Sequence, residues 1–164
     1  MSPIEELGLI RVDDRLIHGQ VVVAWCRYRG FSRVVVVDDA MAADTFMQEV
    51  LHYAAPPNVR VEVWSVEQAI AGLNLDRPDR ATTMVLLKSP RVAQQLYDGG
   101  VSYRGLNVGG IGGGPGRRNI FRNIAVSPDD VAVLKDLLGK GVKITLLTVP
   151  GEKAKDFAEM VGRL

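Results

Sequence analysis

Residues 34–39 read Val-Val-Val-Val-Asp-Asp, and this short stretch decides the fold. Four β-branched residues in succession favour a strand, and a run without apolar–polar alternation is typical of a strand that is buried on both faces. Strands of that kind occur in parallel sheets that helices cover from both sides. The stretch therefore predicts an α/β fold with a parallel sheet.

The rest of the chain alternates short apolar runs with longer amphipathic ones, as βαβ units require. Further strands are predicted at 7–12, 59–64, 82–87, 106–108, 123–126 and 142–149. Helices are predicted at 20–28, 44–54, 65–71, 89–100, 127–141 and 152–161. Ser65 opens a Ser-x-x-Gln capping box, and Ser89-Pro90 and Ser127-Pro128 are typical helix starts. The helix at 44–54 should bury Phe46, Val50 and Leu51, with His52 exposed.

Size and charge exclude several classes of protein. The chain has 164 residues, of which 47% are hydrophobic, so one domain with a real core is expected. Lys and Arg number 20 against 19 for Asp and Glu, so no global charge favours nucleic acid or an anionic membrane. The longest uncharged stretch, 105–116, is shorter than the ~20 apolar residues of a membrane helix. Residues 1–6 lack the apolar core of a signal peptide and Cys26 is the only cysteine, so a cytoplasmic protein is expected.

The loop that follows the first predicted strand holds the best candidates for chemistry. Ligands in such folds bind beyond the carboxyl ends of the strands, and His18 stands where the next helix should begin. Free backbone N–H groups make that position an anion site, and Arg15 offers a planar fork suited to phosphate. Arg11 is a second candidate, and a neutral imidazole is a nucleophile toward phosphoryl groups. The competing interpretation is a surface histidine in an ordinary loop.

Two acidic pairs also follow strands, Asp13-Asp14 and Asp38-Asp39. With Lys88 they resemble the Mg²⁺ site of a receiver domain that phosphorylates an aspartate. Such a domain has its acceptor aspartate after the third strand, where this chain has Trp64-Ser65. Asp38 and Asp39 are therefore better interpreted as capping or loop residues.

The glycine-rich segment 109–116 suggests a phosphate loop, but neither Walker spacing nor G-x-G-x-x-G spacing is present. A mobile loop beside the site is predicted instead. The arginines that follow it, Arg117, Arg118 and Arg122, are candidates for contact with an anionic ligand or partner. A solvated basic stretch is the alternative.

Residues 11–21, Arg-Val-Asp-Asp-Arg-Leu-Ile-His-Gly-Gln-Val, together with Trp25, closely resemble the active-site segment of a known family. The family consists of the IIB components of the mannose/fructose/sorbose branch of the bacterial phosphoenolpyruvate-dependent phosphotransferase system. The stretches 34–39, 54–57, 65–69, 86–90 and 106–110 resemble the family too. The resemblance extends over essentially the whole chain, which implies a single IIB domain at 1–164.

The resemblance implies a three-layer α/β/α sandwich around a mainly parallel sheet of about six or seven strands, with the first strand inside it. It also implies a protein-histidine phosphotransferase in the cytoplasm. His18 would accept a phosphoryl group, with Nδ1 the suggested nitrogen, from a phosphohistidine of a IIA protein or domain. The group would then pass to a sugar held by the membrane components IIC and IID.

In this interpretation Arg15, Arg11 and the backbone N–H groups of Gly19 and Gln20 stabilise the phosphoryl oxygens. Asp13 or Asp14 orients Arg15 or the imidazole, and no metal or organic cofactor is required. Arg117 and Arg118 are candidate partner contacts, and a homo-oligomer is compatible. The chain departs from the family at 111–118, so the sugar stays open. A receiver-like module and a non-catalytic binding module of the same fold are the alternatives.

Overall fold

The computed structural model describes residues 6–75 and 77–164. Residues 1–5, on which the signal-peptide prediction largely depends, lie outside this part. The strands are β1 (Leu9–Asp13), β2 (Arg33–Val37), β3 (Arg60–Trp64), β4 (Thr83–Leu87), β5 (Gly105–Gly110), β6 (Arg118–Phe121), β7 (Ile124–Val126), β8 (Lys143–Leu146) and β9 (Lys155–Asp156). The helices are α1 (Gly19–Arg29), α2 (Asp39–Ala42), α3 (Thr45–Ala54), α4 (Val66–Leu73), α5 (Pro90–Asp98) and α6 (Pro128–Gly139).

Seven of these strands form one sheet in the order β3-β2-β4-β1-β5-β8-β9. Every pair is parallel except β8 with β9. The prediction of a mainly parallel sheet with six or seven strands is confirmed. Strand β1 lies at the middle of the order, so the loop after it opens at the centre of the sheet's carboxyl edge.

Helices cover both faces of the sheet, which gives the predicted three layers. Val35 and Val37 of β2 pack in a cluster with residues of α4, α5 and α6. Val34 and Val36 point the other way, into a cluster with residues of α1 and α3. All four valines are fully buried, which is the physical reason that the run shows no alternation.

The prediction of a helix at 152–161 is wrong. Lys155 and Asp156 instead form β9, which pairs antiparallel with β8. Two short 3₁₀ turns follow, at Phe157–Glu159 and Val161–Arg163. The Asp156 side chain accepts a hydrogen bond from Ala158 N, and Phe157 is fully buried. Pairing with an open sheet edge and burial of one aromatic side chain therefore outweigh the local helical pattern.

The predicted strand at 123–126 exists, but it pairs with β6 in a separate antiparallel hairpin. The apolar face predicted for the helix at 44–54 is only partly correct. Leu51 is buried, whereas Phe46 is 70% exposed and Val50 42% exposed. His52 is exposed as predicted, yet its Nε2 lies 3.1 Å from the backbone oxygen of Val61 and so connects α3 with β3.

Asp38 and Asp39 are capping residues, as predicted. Asp38 accepts a hydrogen bond from Met41 N at the start of α2, and Asp39 accepts one from Val66 N at the start of α4. The sequence did not predict α2. Within the described ranges, no helix combines the length and the apolar character that crossing a bilayer demands.

Candidate functional site

The loop between β1 and α1 is a tight turn built on Asp13. Leu16 N donates to Asp13 O at 2.9 Å, and Arg15 N donates to Asp13 Oδ1 at 3.1 Å. Leu16 and Gly19 have positive φ angles of 56° and 40°, and the absence of a Cβ makes this conformation easy for Gly19. The Leu16 side chain is buried and anchors the turn. The turn thereby places His18 at the N-cap of α1.

His18 lies beside the Asp13 carboxylate, with Nε2 3.6 Å from Oδ2 and 21% of the side chain exposed. Neither ring nitrogen reaches solvent or has a hydrogen-bond partner among the described residues. The pKa of His18 is lowered, mainly because burial disfavours the charged ring; Asp13 opposes this and Arg15 adds to it. The imidazole is therefore neutral at neutral pH, which is the nucleophilic form.

Asp13 holds the site together. Its side chain is almost fully buried, and Arg15 Nε donates to Oδ1 at 3.3 Å while Arg11 Nη2 donates to Oδ2 at 3.1 Å. Asp14 faces elsewhere, and its Oδ2 accepts a hydrogen bond from Gly112 N at 2.8 Å. Of the two acids that the sequence left open, Asp13 is therefore the one that contacts Arg15 and His18.

Arg11 lies beneath this carboxylate and is fully buried. Its Nη1 donates to Asn107 Oδ1 at 2.6 Å and to Leu147 O at 3.0 Å, and its Nη2 donates to Thr148 O at 2.8 Å. Burial lowers the pKa of Arg11, and the Asp13 charge opposes that shift. The predicted contact between Arg11 and a phosphoryl group does not fit this geometry, because the guanidinium is enclosed by protein. Arg11 instead positions Asp13.

Two glycines at the end of β5 leave the space that these side chains occupy. A Cβ on Gly109 would lie 2.0 Å from Arg11 Cζ. A Cβ on Gly110 would lie 3.2 Å from Arg15 Nη2, 3.3 Å from Asn123 Nδ2 and 3.3 Å from Asp13 Oδ1. We call the space bounded by these three atoms the Gly110 recess. Close packing therefore accounts for the first part of the glycine-rich segment.

Comparison with known proteins identifies the family. The family model for the sorbose-subfamily IIB component of the phosphotransferase system matches residues 7–164. This chain belongs to that family. It is thus a component of a sugar-transporting phosphotransferase system, and the resemblance found in the sequence is confirmed.

Two EIIB relatives match this IIB component over nearly their whole length, whereas an EIIAB relative matches it over about half of its own length. It is 34% identical to the sorbose-specific EIIB component of Lacticaseibacillus casei over 92% of each chain. It is 31% identical to the fructose-specific EIIB component of Bacillus subtilis, over 93% of this chain and 94% of that one. Against the mannose-specific EIIAB component of Escherichia coli K12 it is 31% identical and covers 49% of that protein. The crystal structure of manxB from Thermoanaerobacter tengcongensis superposes with a TM-score of 0.89 at 31% identity, with 96% of each chain covered.

The arginines predicted to contact a partner form hydrogen bonds and ion pairs within this IIB component. Arg117 Nη1 donates to Asp130 Oδ2 at 3.1 Å, and Arg118 Nη2 donates to Arg163 O at 3.2 Å. Arg122 pairs with Glu152 at 3.4 Å. None of these contacts reaches the β1–α1 loop, so the arginines belong to the hairpin beside the site.

Sequence reasoning missed three polar residues around Arg11 and the recess. They are Asn107, Asn123 and Thr148. Asn107 could have been found, because an asparagine within the otherwise apolar strand β5 is unusual. The contact between Arg11 and Asp13 could also have been found, because alternation along β1 places both side chains on one face of the sheet. Asn123 and Thr148 had no such signal, because both reach the site from distant loops.

The two acidic pairs do not meet in a metal site. Across residues 6–75 and 77–164, no three His, Cys, Asp or Glu side chains lie close enough together to hold a metal ion. Asp13 is buried against two arginines, and Asp38 and Asp39 cap helices. The geometry therefore gives the receiver-like interpretation no support.

Proposed function

We propose that His18 accepts a phosphoryl group from a phosphohistidine of a IIA protein or domain and passes it to a sugar held by membrane IIC and IID components. The observation that carries this proposal is a neutral His18 at a helix start, beside the Asp13–Arg15 pair. The name of the Escherichia coli relative, EIIAB, supports a IIA partner. The proposal places the chain in the cytoplasm, as a single IIB domain.

The Asp13 carboxylate favours the proton on Nε2 of His18, since Nε2 is the ring nitrogen that lies near Oδ2. That tautomer leaves the lone pair on Nδ1. Nδ1 attacks phosphorus, the bond from phosphorus to the IIA imidazole breaks, and the electron pair returns to that ring. Transfer of this kind depends on positioning and on stabilisation of the equatorial oxygens.

Arg15 supplies that stabilisation. Its side chain is 48% exposed, so the guanidinium can reach an incoming phosphoryl group while Nε stays on Asp13 Oδ1. The N–H groups of Gly19 and Gln20 begin α1 and have no earlier turn to bond with. As proposed, transfer uses only protein side chains and backbone groups.

The imidazole has to turn before it reacts, since both ring nitrogens are hidden from solvent. Rotation about the side-chain torsions brings Nδ1 to the surface while the exposed edge of the ring moves inward. Docking of IIA at the carboxyl edge of the sheet would favour the rotated ring. Arg118, which is exposed on the neighbouring hairpin, is a proposed contact for IIA.

The test follows the label from ³²P-phosphorylated IIA. Wild type should become labelled with an acid-labile, base-stable linkage, and His18→Ala should fold normally and take up no label. His52→Ala is the matched control, because the chain has only two histidines, and it should be labelled at the wild-type rate.

A His18→Ala protein that is labelled as fast as wild type would contradict the assignment. A base-labile linkage would favour a phosphoaspartate in place of phosphohistidine. A wild-type protein that takes no label would favour the binding-module alternative.

A further inference from the structure

The Gly110 recess contains a hydrogen-bond donor that the proposed function does not use. We propose that the side-chain amide of Asn123 binds an oxygen of the phosphoryl group on His18, opposite Arg15. This inference rests on the proposed function and adds a catalytic residue to it. Arg15 Nη2 and Asn123 Nδ2 both lie within 3.3 Å of the point that a Cβ on Gly110 would occupy.

The hairpin between β6 and β7 places Asn123 there. Arg122, with φ of +42°, makes the turn, and Ile111 N donates to Asn123 O at 3.2 Å. The Thr148 hydroxyl has one proton and two acceptors in reach, Asn123 Oδ1 at 2.6 Å and Gly109 O at 3.0 Å, and the shorter contact assigns the proton to Asn123. The carbonyl end of the amide is therefore anchored, and the Nδ2 end points into the recess.

Asn123 Nδ2 is free to bind a ligand. Among the hydrogen bonds of the described residues Nδ2 donates to no protein atom, and Asn123 is exposed. An amide that is fixed through its oxygen and exposed through its nitrogen is already oriented for an acceptor. Phosphoryl oxygens are acceptors only, so they suit this donor.

The charges around the recess also favour an anion. Asp13 Oδ1 lies on the recess, but the Asp13 carboxylate is bonded by Arg15 and Arg11, so two positive charges outweigh one negative charge. His18 approaches the other oxygen of the same carboxylate. A phosphoryl group on the turned His18 ring would thus lie between Arg15 and Asn123. Two donors on different sides can bind two of the three equatorial oxygens.

The experiment phosphorylates the protein with phosphoramidate, which needs no partner. The His18 nitrogen attacks phosphorus, the phosphorus–nitrogen bond of phosphoramidate breaks, and ammonia leaves. A His52→Ala background restricts labelling to His18. Asn123→Ala should slow phosphorylation by about 100-fold, as the loss of one oxyanion donor does.

Asn123→Asp is the sharper variant. It keeps the Oδ1 that accepts from Thr148 and replaces Nδ2 by an anionic oxygen, so it should react more slowly than Asn123→Ala. A purely structural role predicts the reverse order, because the aspartate preserves the Thr148 contact. Asn74→Asp makes the same change at the end of α4, far from the recess, and should match wild type.

A second readout follows the Asn123 side-chain NH₂ signals by NMR, which should shift on phosphorylation of wild type. The inference is overturned if wild type is phosphorylated while these signals stay unchanged and both Asn123 variants react at the wild-type rate. It is also overturned if Asn123→Asp reacts as fast as Asn123→Ala or faster. If neither phosphoramidate nor phospho-IIA labels wild type, the proposed function fails, and this inference fails with it.

Discussion

Replacing Gly109 by alanine tests whether the Arg11 guanidinium is fixed in the position from which it supports Asp13. The new methyl group would lie 2.0 Å from Arg11 Cζ and 2.2 Å from both terminal nitrogens, far inside any van der Waals contact. The guanidinium is fully buried, and its two terminal nitrogens make four hydrogen bonds. Arg11 therefore cannot move aside without giving up at least one of these bonds.

The expected cost follows from those contacts. A buried hydrogen bond to a charged group contributes about 1.5–3 kcal/mol, and overpacking a core by a methyl group costs about 1–3 kcal/mol. We expect Gly109→Ala to lower the free energy of unfolding by about 3 kcal/mol. For a chain of this length, that loss lowers Tm by about 6–12 °C.

Urea unfolding and calorimetry of Gly109→Ala measure this loss. The urea midpoint should fall while the slope of the transition stays at the wild-type value. Gly113→Ala is the matched control, because no atom of the described residues lies within 4 Å of a Cβ there, and its stability should stay within about 1 kcal/mol of wild type. A Gly109→Ala protein within about 0.5 kcal/mol of wild type would refute the reasoning, because it would show that Arg11 moves freely.

Two further predictions concern the loop itself. His18 should titrate by NMR below its ordinary pKa of 6.5, since burial disfavours the cation. Because the folded pKa is lowered, His18 contributes stability above pH 6.5 that is lost as the pH falls through the folded pKa. The His18→Ala protein should not show this loss of stability. A measured His18 pKa at or above 6.5 would contradict the prediction. Arg15→Lys should slow transfer from phospho-IIA by about 10–1000-fold, because lysine keeps the charge but loses the planar fork. An unchanged transfer rate would mean that Arg15 only pairs with Asp13.

Much of the fold was predictable because local sequence and burial agree. Strand β2 is fully buried, so its run of valines shows its position directly. The segment 152–161 was not predictable in the same way, because antiparallel pairing of Lys155 and Asp156 with the sheet edge at β8 decides its structure. Pattern reasoning detects local periodicity and misses the pairing of a two-residue strand with an open sheet edge.

The residues of the candidate site also differ in how far the sequence could predict them. His18, Arg15 and Asp13 lie within one loop and share a chemistry that their spacing reveals. The choice between Asp13 and Asp14 depended on Gly112, which is 98 residues from Asp14 in sequence. Asn123 enters through a turn whose contact with Thr148 exists only in the folded chain. Short-range signals thus located the candidate nucleophile, and long-range packing selected the groups around it.

The bond from Arg11 to Thr148 has a consequence for how the protein is made. The two residues are 137 positions apart, and β1 is enclosed by β4 and β5, which are synthesised much later. During translation the His18 loop therefore leaves the ribosome early and stays without its supporting contacts until residues near 148 have emerged. Because Arg11, which positions Asp13, donates to the backbone oxygens of Leu147 and Thr148, a chain that stops before these residues lacks the support of the candidate site.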